Sequence, residues 1–191
     1  ENMLALSIAQ KSVDMTDKLI VPIKFLMSHD IEKTQENHKR SAETIMEYLS
    51  QGHDVAMLNI GDISIYSTCS YIIEKNGFET EVCAGVPSFC AAAARLKKPL
   101  VSRKEVLVVA PGYTDELESL MSVNGTKVIM KSGKHMNRVK KLVEKYGMSD
   151  NTIIVESCGL ENERIHYGID ETENGYFSLM IIKTSEENDN A

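Results

Sequence analysis

Short apolar runs alternate along the chain with stretches in which apolar residues recur every three to four positions, the pattern of strands alternating with amphipathic helices. A helix is expected over Met3–Lys11 and a strand over Leu19–Ile23. A long helix is predicted over about Thr34–Gln51, because Ala42, Ile45, Met46 and Leu49 follow i, i+3, i+4, i+7. Glu36 stands one turn before Arg40, and Gly52 is placed to end the helix. Asp54–Ile60, DVAMLNI, is continuous enough to predict a strand buried on both faces of a parallel sheet. A helix through Tyr71–Glu74 ending near Gly77, a strand over Phe78–Cys83, a turn at Gly85-Val86-Pro87-Ser88 and a helix over Phe89–Leu96 with Ser88 as N-cap complete the first half.

The segment Lys97–Lys104 breaks the pattern and is expected to be an exposed connection. Beyond it the same reasoning predicts strands at Glu105–Ala110, Thr126–Lys131, Asn151–Ser157 and Tyr176–Lys183. Helices are expected at Thr114–Met121 and His135–Tyr146, the latter with Val139, Leu142, Val143 and Tyr146 on one face. The expected architecture is therefore α/β in two small domains, residues 1–101 and 102–184, followed by an acidic, disordered tail at 185–191.

Composition narrows the function. The chain has 191 residues, 42% apolar and 26% charged, with a net charge of −7. That composition is globular, and its sign argues against nucleic acid as the main partner. No run is long and apolar enough to predict a transmembrane helix. Glu1-Asn2-Met3 lacks the basic start of a signal peptide, so a cytoplasmic location is expected. Cys69, Cys83, Cys90 and Cys158 show no Cys-x-x-Cys spacing and the five histidines no metal-ligand spacing, so neither a disulfide nor a protein-held metal is expected.

The charge is unevenly spread. Val82–Lys104 holds five basic residues and no acid, Lys127–Val143 holds six and no acid, and the last 48 residues hold 11 acids against 3 bases. Each basic run reads either as a solvated surface or as a site for a ligand bearing several carboxylates.

Three strand ends are candidate ligand contacts, since ligands of open α/β sheets sit beyond the carboxyl ends of strands. In LNIGDISIYSTCSY, Gly61 would let a ligand approach the backbone. Asp62 reads either as an N-cap or as an acceptor for an amine or ribose hydroxyl. AGVPSFCAAAARL repeats the strand, glycine turn and small-residue helix, and VIMKSG brings Met130 and Lys131 to an equivalent place. No nucleophile elbow, phosphate loop or dinucleotide fingerprint is present.

In order, LALSIAQK, GDxSIYSTxSY, GVPSFCAAAARLxxPL, VIMK, ESCGLENERI and YFSLMIIK resemble the tetrapyrrole (corrin/porphyrin) methylase family over nearly the whole chain. The resemblance is strongest to members that methylate C-20 of precorrin-2 or cobalt-factor II in cobalamin biosynthesis. It implies a homodimer of two-domain chains, with S-adenosyl-L-methionine held in the cleft between the domains and S-adenosylhomocysteine as product. Matched residue by residue, it assigns cofactor contacts to Ile60, Gly61, Asp62, Ile65, Tyr66, Pro87, Ser88, Met130, Lys131 and Cys158. The substrate's carboxylates are then expected at Arg95, Lys97, Arg103 and Lys134.

Two departures from the family pattern stand out. Ile63 replaces the usual proline after Gly61-Asp62, and there is no counterpart of the family's opening strand and G-x-G-P-G-D-P loop. The resemblance therefore implies a further segment ahead of Glu1 and an incomplete, less ordered first domain. No general base is identified; Tyr66 and Asp62 are the nearest polar candidates. Alternative readings are methylation of another corrin position or of a diphthamide precursor, and a non-catalytic ligand-binding module.

Overall fold

The computed structural model describes residues 3–26, 30–169 and 177–183. The expected tail at 185–191 and Tyr176, the start of the last expected strand, lie outside the described residues. The chain divides into two compact units, Glu1–Val86 and Pro87–Ala191. This division falls ahead of the alanine-rich helix, whereas the sequence reading sets the boundary after it.

The first unit is built on helices. α1 (Leu4–Ala9) precedes α2 (Ile31–Ser50), which begins earlier than expected. The reason is Asp30, whose carboxylate accepts from the Lys33 N–H at 3.1 Å and supplies the N-cap. Asn37 on α2 takes the place of a paired strand: its amide donates to the Lys24 carbonyl and accepts from the Leu26 N–H, each at 2.9 Å. α3 (Thr68–Asn76) is capped by Ser67 at its start and by left-handed Gly77 at its end. Ala42, Ile45 and Ile72 form the buried core, with Ile23, Phe25, Leu49, Met57 and Phe78 packed on it.

The three strands expected in this unit are not formed among the described residues. Leu19–Ile23, Asp54–Ile60 and Phe78–Cys83 join no sheet, and Val55, Leu58, Ile60 and Val82 stay between 41% and 53% exposed. DVAMLNI is therefore not the doubly buried strand its composition suggests. An apolar run expresses a tendency toward burial, whereas a ladder also needs a partner backbone, and none of these segments has one.

The second unit opens with α4 (Ser88–Leu96), which lies against β5 through a face that includes fully buried Ala92. Pro87 stands at the N-cap and Ser88 is the first helical residue, with no side-chain cap, so Ser88 does not cap this helix. The sheet has five strands, β1 (Leu107–Pro111), β2 (Thr126–Met130), β3 (Thr152–Glu156), β4 (Arg164–Tyr167) and β5 (Ser178–Ile182), in the order β1-β2-β5-β3-β4. Only β1 and β2 pair in parallel.

α5 (Leu117–Met121) and α6 (Met136–Lys145) cover one face, burying Leu117, Met121, Met136, Val139 and Val143 against Ile129, Ile154 and Met180. The connection before β1 is anchored through Glu105, which accepts from the Thr126 hydroxyl at 2.6 Å and the Ser102 N–H at 3.1 Å. Ile154→Val should lower stability by about 1 kcal/mol, because the site is closed on all sides and the lost methylene leaves a small void; urea denaturation reads this directly.

Candidate active site

The loop after Asp54–Ile60 is organised by Asp62. One carboxylate oxygen accepts from both the Ser64 N–H, at 2.8 Å, and the Ser64 hydroxyl; the other accepts from the Gly85 N–H at 2.8 Å. These bonds, the Ser64 hydroxyl foremost, hold the Asp62 carboxyl below the ordinary aspartate range. Asp62 is not the N-cap of the helix that follows, a place Ser67 takes; its carboxylate instead closes a turn with Ser64 and pins the second loop at Gly85.

Gly61 is left-handed at φ 83°, and a Cβ on Gly85 would lie 2.2 Å from the Gly61 carbonyl oxygen. The two glycines interlock where no side chain fits. Ile65 and Tyr66 are half-buried, and Tyr66 adopts φ 51°, a backbone state that costs a non-glycine residue on the order of 1 kcal/mol. The first unit thus brings together Ile60, Gly61, Asp62, Ile65 and Tyr66.

The second unit carries the other candidates. Met130 ends β2, and Lys131 follows it, exposed and left-handed at φ 51°. The Gly112 N–H donates to the Met130 carbonyl at 2.7 Å, extending the β1–β2 pairing by one residue. Gly112 has to be a glycine, since a Cβ there would sit 2.9 Å from the Ser132 Cα. Ser132 is fully buried and its hydroxyl has no partner among the described protein atoms. Sequence reasoning passed over this residue, and the only signal for it was its place one step past Lys131 in VIMKSG.

Cys158, half-buried in the loop after β3, has its thiol pushed up by burial and by the neighbouring Glu163 carboxylate, which makes it a weak nucleophile. Glu163 accepts from the Gly159 N–H at 2.7 Å and from Arg95 Nε at 2.5 Å. Arg95 is therefore already engaged by a carboxylate of its own chain, while Lys97, Arg103 and Lys134 are exposed. Glu163→Gln should speed alkylation of Cys158 by iodoacetamide, because the negative charge that disfavours the thiolate is gone and Arg95 remains; peptide mass mapping separates this site from the other three cysteines.

The second basic stretch is not a uniform anion site. Lys127 is fully buried and Arg138 donates to the Thr114 carbonyl at 3.0 Å. Among the described residues no group of three or more His, Cys, Asp or Glu is placed to hold a metal ion, and no helix is long and apolar enough to cross a membrane.

The family profile of the tetrapyrrole (corrin/porphyrin) methylases matches residues 2–169. The chain belongs to this family. A probable cobalt-precorrin-2 C(20)-methyltransferase from Methanocaldococcus jannaschii is 33% identical over 176 residues, 87% of this chain and 73% of that protein. A cobalt-precorrin-2 C(20)-methyltransferase from Salmonella typhimurium is 25% identical, covering 83% of this chain and 70% of that one. Among solved structures, cobalt precorrin-4 methyltransferase superposes with a TM-score of 0.65 at 17% identity, over 76% of this chain and 70% of that one. The uroporphyrin-III C-methyl transferase of Thermus thermophilus, complexed with S-adenosyl homocysteine, superposes at 0.60 with 20% identity, over 80% and 74%. The α/β architecture of this methylase chain is thus the family's fold.

Proposed function

We propose that this chain is a C-methyltransferase that uses S-adenosyl-L-methionine to methylate C-20 of precorrin-2 or cobalt-factor II in cobalamin biosynthesis. The observation that carries the proposal is the similarity, over 83% to 87% of the chain, to three proteins named for C-20 methylation of precorrin-2 or cobalt-precorrin-2.

The residues fit the cofactor's chemistry. A buried hydroxyl left without a protein partner, as at Ser132, is suited to an oxygen or nitrogen of a ligand held beside Met130 and Lys131. In the first unit, Asp62 is committed to its turn, so Ile60, Gly61, Ile65 and Tyr66 offer their backbone and side chains while Asp62 keeps the loop in shape. Pro87, Ser88 and Cys158 complete the proposed contacts.

The bound cofactor supplies an electrophilic methyl group, and the reduced macrocycle supplies an electron-rich carbon, so the protein has chiefly to align the two and exclude water. Lys97, Arg103 and Lys134 provide positive charge for the peripheral carboxylates. The proton leaving C-20 needs only a modest base, and Tyr66 and Asp62 stand as the two candidates of this loop. The proposal includes a cytoplasmic homodimer.

The test is incubation of the chain with precorrin-2 and methyl-labelled S-adenosyl-L-methionine, followed by location of the label. Label at C-20 and micromolar binding of S-adenosylhomocysteine are expected. Label at C-11 would instead favour the activity named for a Rhodococcus erythropolis relative, 28% identical over 65% of this chain. Binding without transfer would leave a ligand-binding module.

A further inference from the structure

The loop Ile60–Tyr66 enters and leaves its turn past a single side chain, Asn59. The Asn59 amide nitrogen donates to the Ile60 carbonyl at 3.2 Å, and its oxygen accepts from the Ser67 hydroxyl at 2.9 Å. One amide therefore touches both ends of the loop. Ser67 is buried, and its Oγ, having given its proton to Asn59, accepts from the Cys69 N–H at 3.1 Å and so caps α3. The direction of each bond is dictated: an N–H can only donate, so the hydroxyl proton is available for Asn59. A chain of this kind polarises each member in the same sense.

The loop held this way contains the left-handed Tyr66 immediately before Ser67. A strained backbone state persists only where its surroundings over-determine it. Asp62 fixes the early part of the loop through Ser64 and Gly85, and its carbonyl accepts from the Ile65 N–H at 3.3 Å. The Asn59–Ser67 bond, backed by the α3 cap, acts on the residue that follows Tyr66.

We infer that Asn59 is a positioning residue for the Ile60–Tyr66 loop, setting the backbone of Tyr66 through Ser67 without itself contacting a ligand. The inference rests on the reading of this loop as cofactor-binding. Asn59 is exposed, so its replacement removes the latch without opening the core.

The experiment compares Asn59→Leu, which has the size but no acceptor, with Asn59→Asp, whose carboxylate oxygen still accepts from Ser67. Asn59→Leu should weaken S-adenosylhomocysteine binding, and raise KM for S-adenosyl-L-methionine, about tenfold with kcat and Tm little changed, a tenfold change in KM being about 1.4 kcal/mol. Asn59→Asp should restore most of the affinity. Unchanged affinity in Asn59→Leu, or equal loss in both variants, overturns the inference. If the unaltered chain binds no S-adenosylhomocysteine, the functional reading fails by itself. Amide exchange at Ile65–Cys69 then decides the latch: faster exchange in Asn59→Leu alone upholds it, and equal exchange in all three proteins overturns it.

Discussion

Gly85→Ala should disrupt the first unit's loop more than any other single methyl addition there. The new Cβ would be 2.2 Å from the Gly61 carbonyl oxygen and 2.9 Å from the Gly61 carbonyl carbon. Both obstacles are backbone, so neither can swing aside as a flexible side chain would. To make room, the 84–87 segment has to withdraw, and this breaks the bond from the Gly85 N–H to Asp62. Overpacking of this kind costs about 1–3 kcal/mol, and the lost charge-assisted bond adds to it. We expect a lower Tm together with at least tenfold weaker S-adenosylhomocysteine binding. A variant with unaltered Tm and affinity would show that the two glycines do not interlock.

Lys127→Met should raise stability by about 1–4 kcal/mol, the range found when a buried ion pair gives way to apolar side chains of similar volume, because it removes the cost of desolvating an ammonium. Lys127 lies two residues from Ile129 on β2 and so faces the same core; it lies in register with Val108 and Ile182, and its Nζ is buried with no hydrogen-bond partner among the described residues. Burial lowers its pKa from the ordinary lysine value. The unfolded chain then holds a proton that the native state releases more readily. Native stability therefore rises with pH between the lowered folded pKa and the unfolded value near ~10.4, and the full contribution is present above that value. In Lys127→Met this rise should vanish. Urea denaturation across alkaline pH tests both points, and a variant that is less stable than the parent would mean that the ammonium is compensated in the fold.

This lysine also shows what a sequence conveys poorly. In the string Lys127–Val143 it looks like one more member of a basic run. Which face of β2 it occupies follows from alternation, but that this face is sealed at Lys127 depends on β5 and the helices packed there. Arg95 is a similar case: its positive charge is plain in the sequence, whereas its pairing with Glu163 joins residues far apart in the chain.

β4 escaped notice because Arg164–Tyr167 is four residues of mixed polarity at the sheet edge, half-buried or exposed throughout. Its strand character comes from pairing with β3, residue against residue from Ile153↔Tyr167 to Glu156↔Arg164. The expected strands of the first unit erred in the opposite direction, with strong apolar runs and no ladder.

By itself the sequence determined the helices, four of the five strands of the second unit's sheet, the turn glycines and the family, because periodicity, caps and motif strings are properties of neighbouring residues. The tertiary structure alone decided which apolar runs became strands, that Asp62 and Gly85 clasp each other, that Ser132 and Lys127 are buried without hydrogen-bond partners among the described residues, and that Asn59 spans its loop. Each of these depends on groups brought together from separate segments, and the free energy of a buried or hydrogen-bonded group is set by what surrounds it in space.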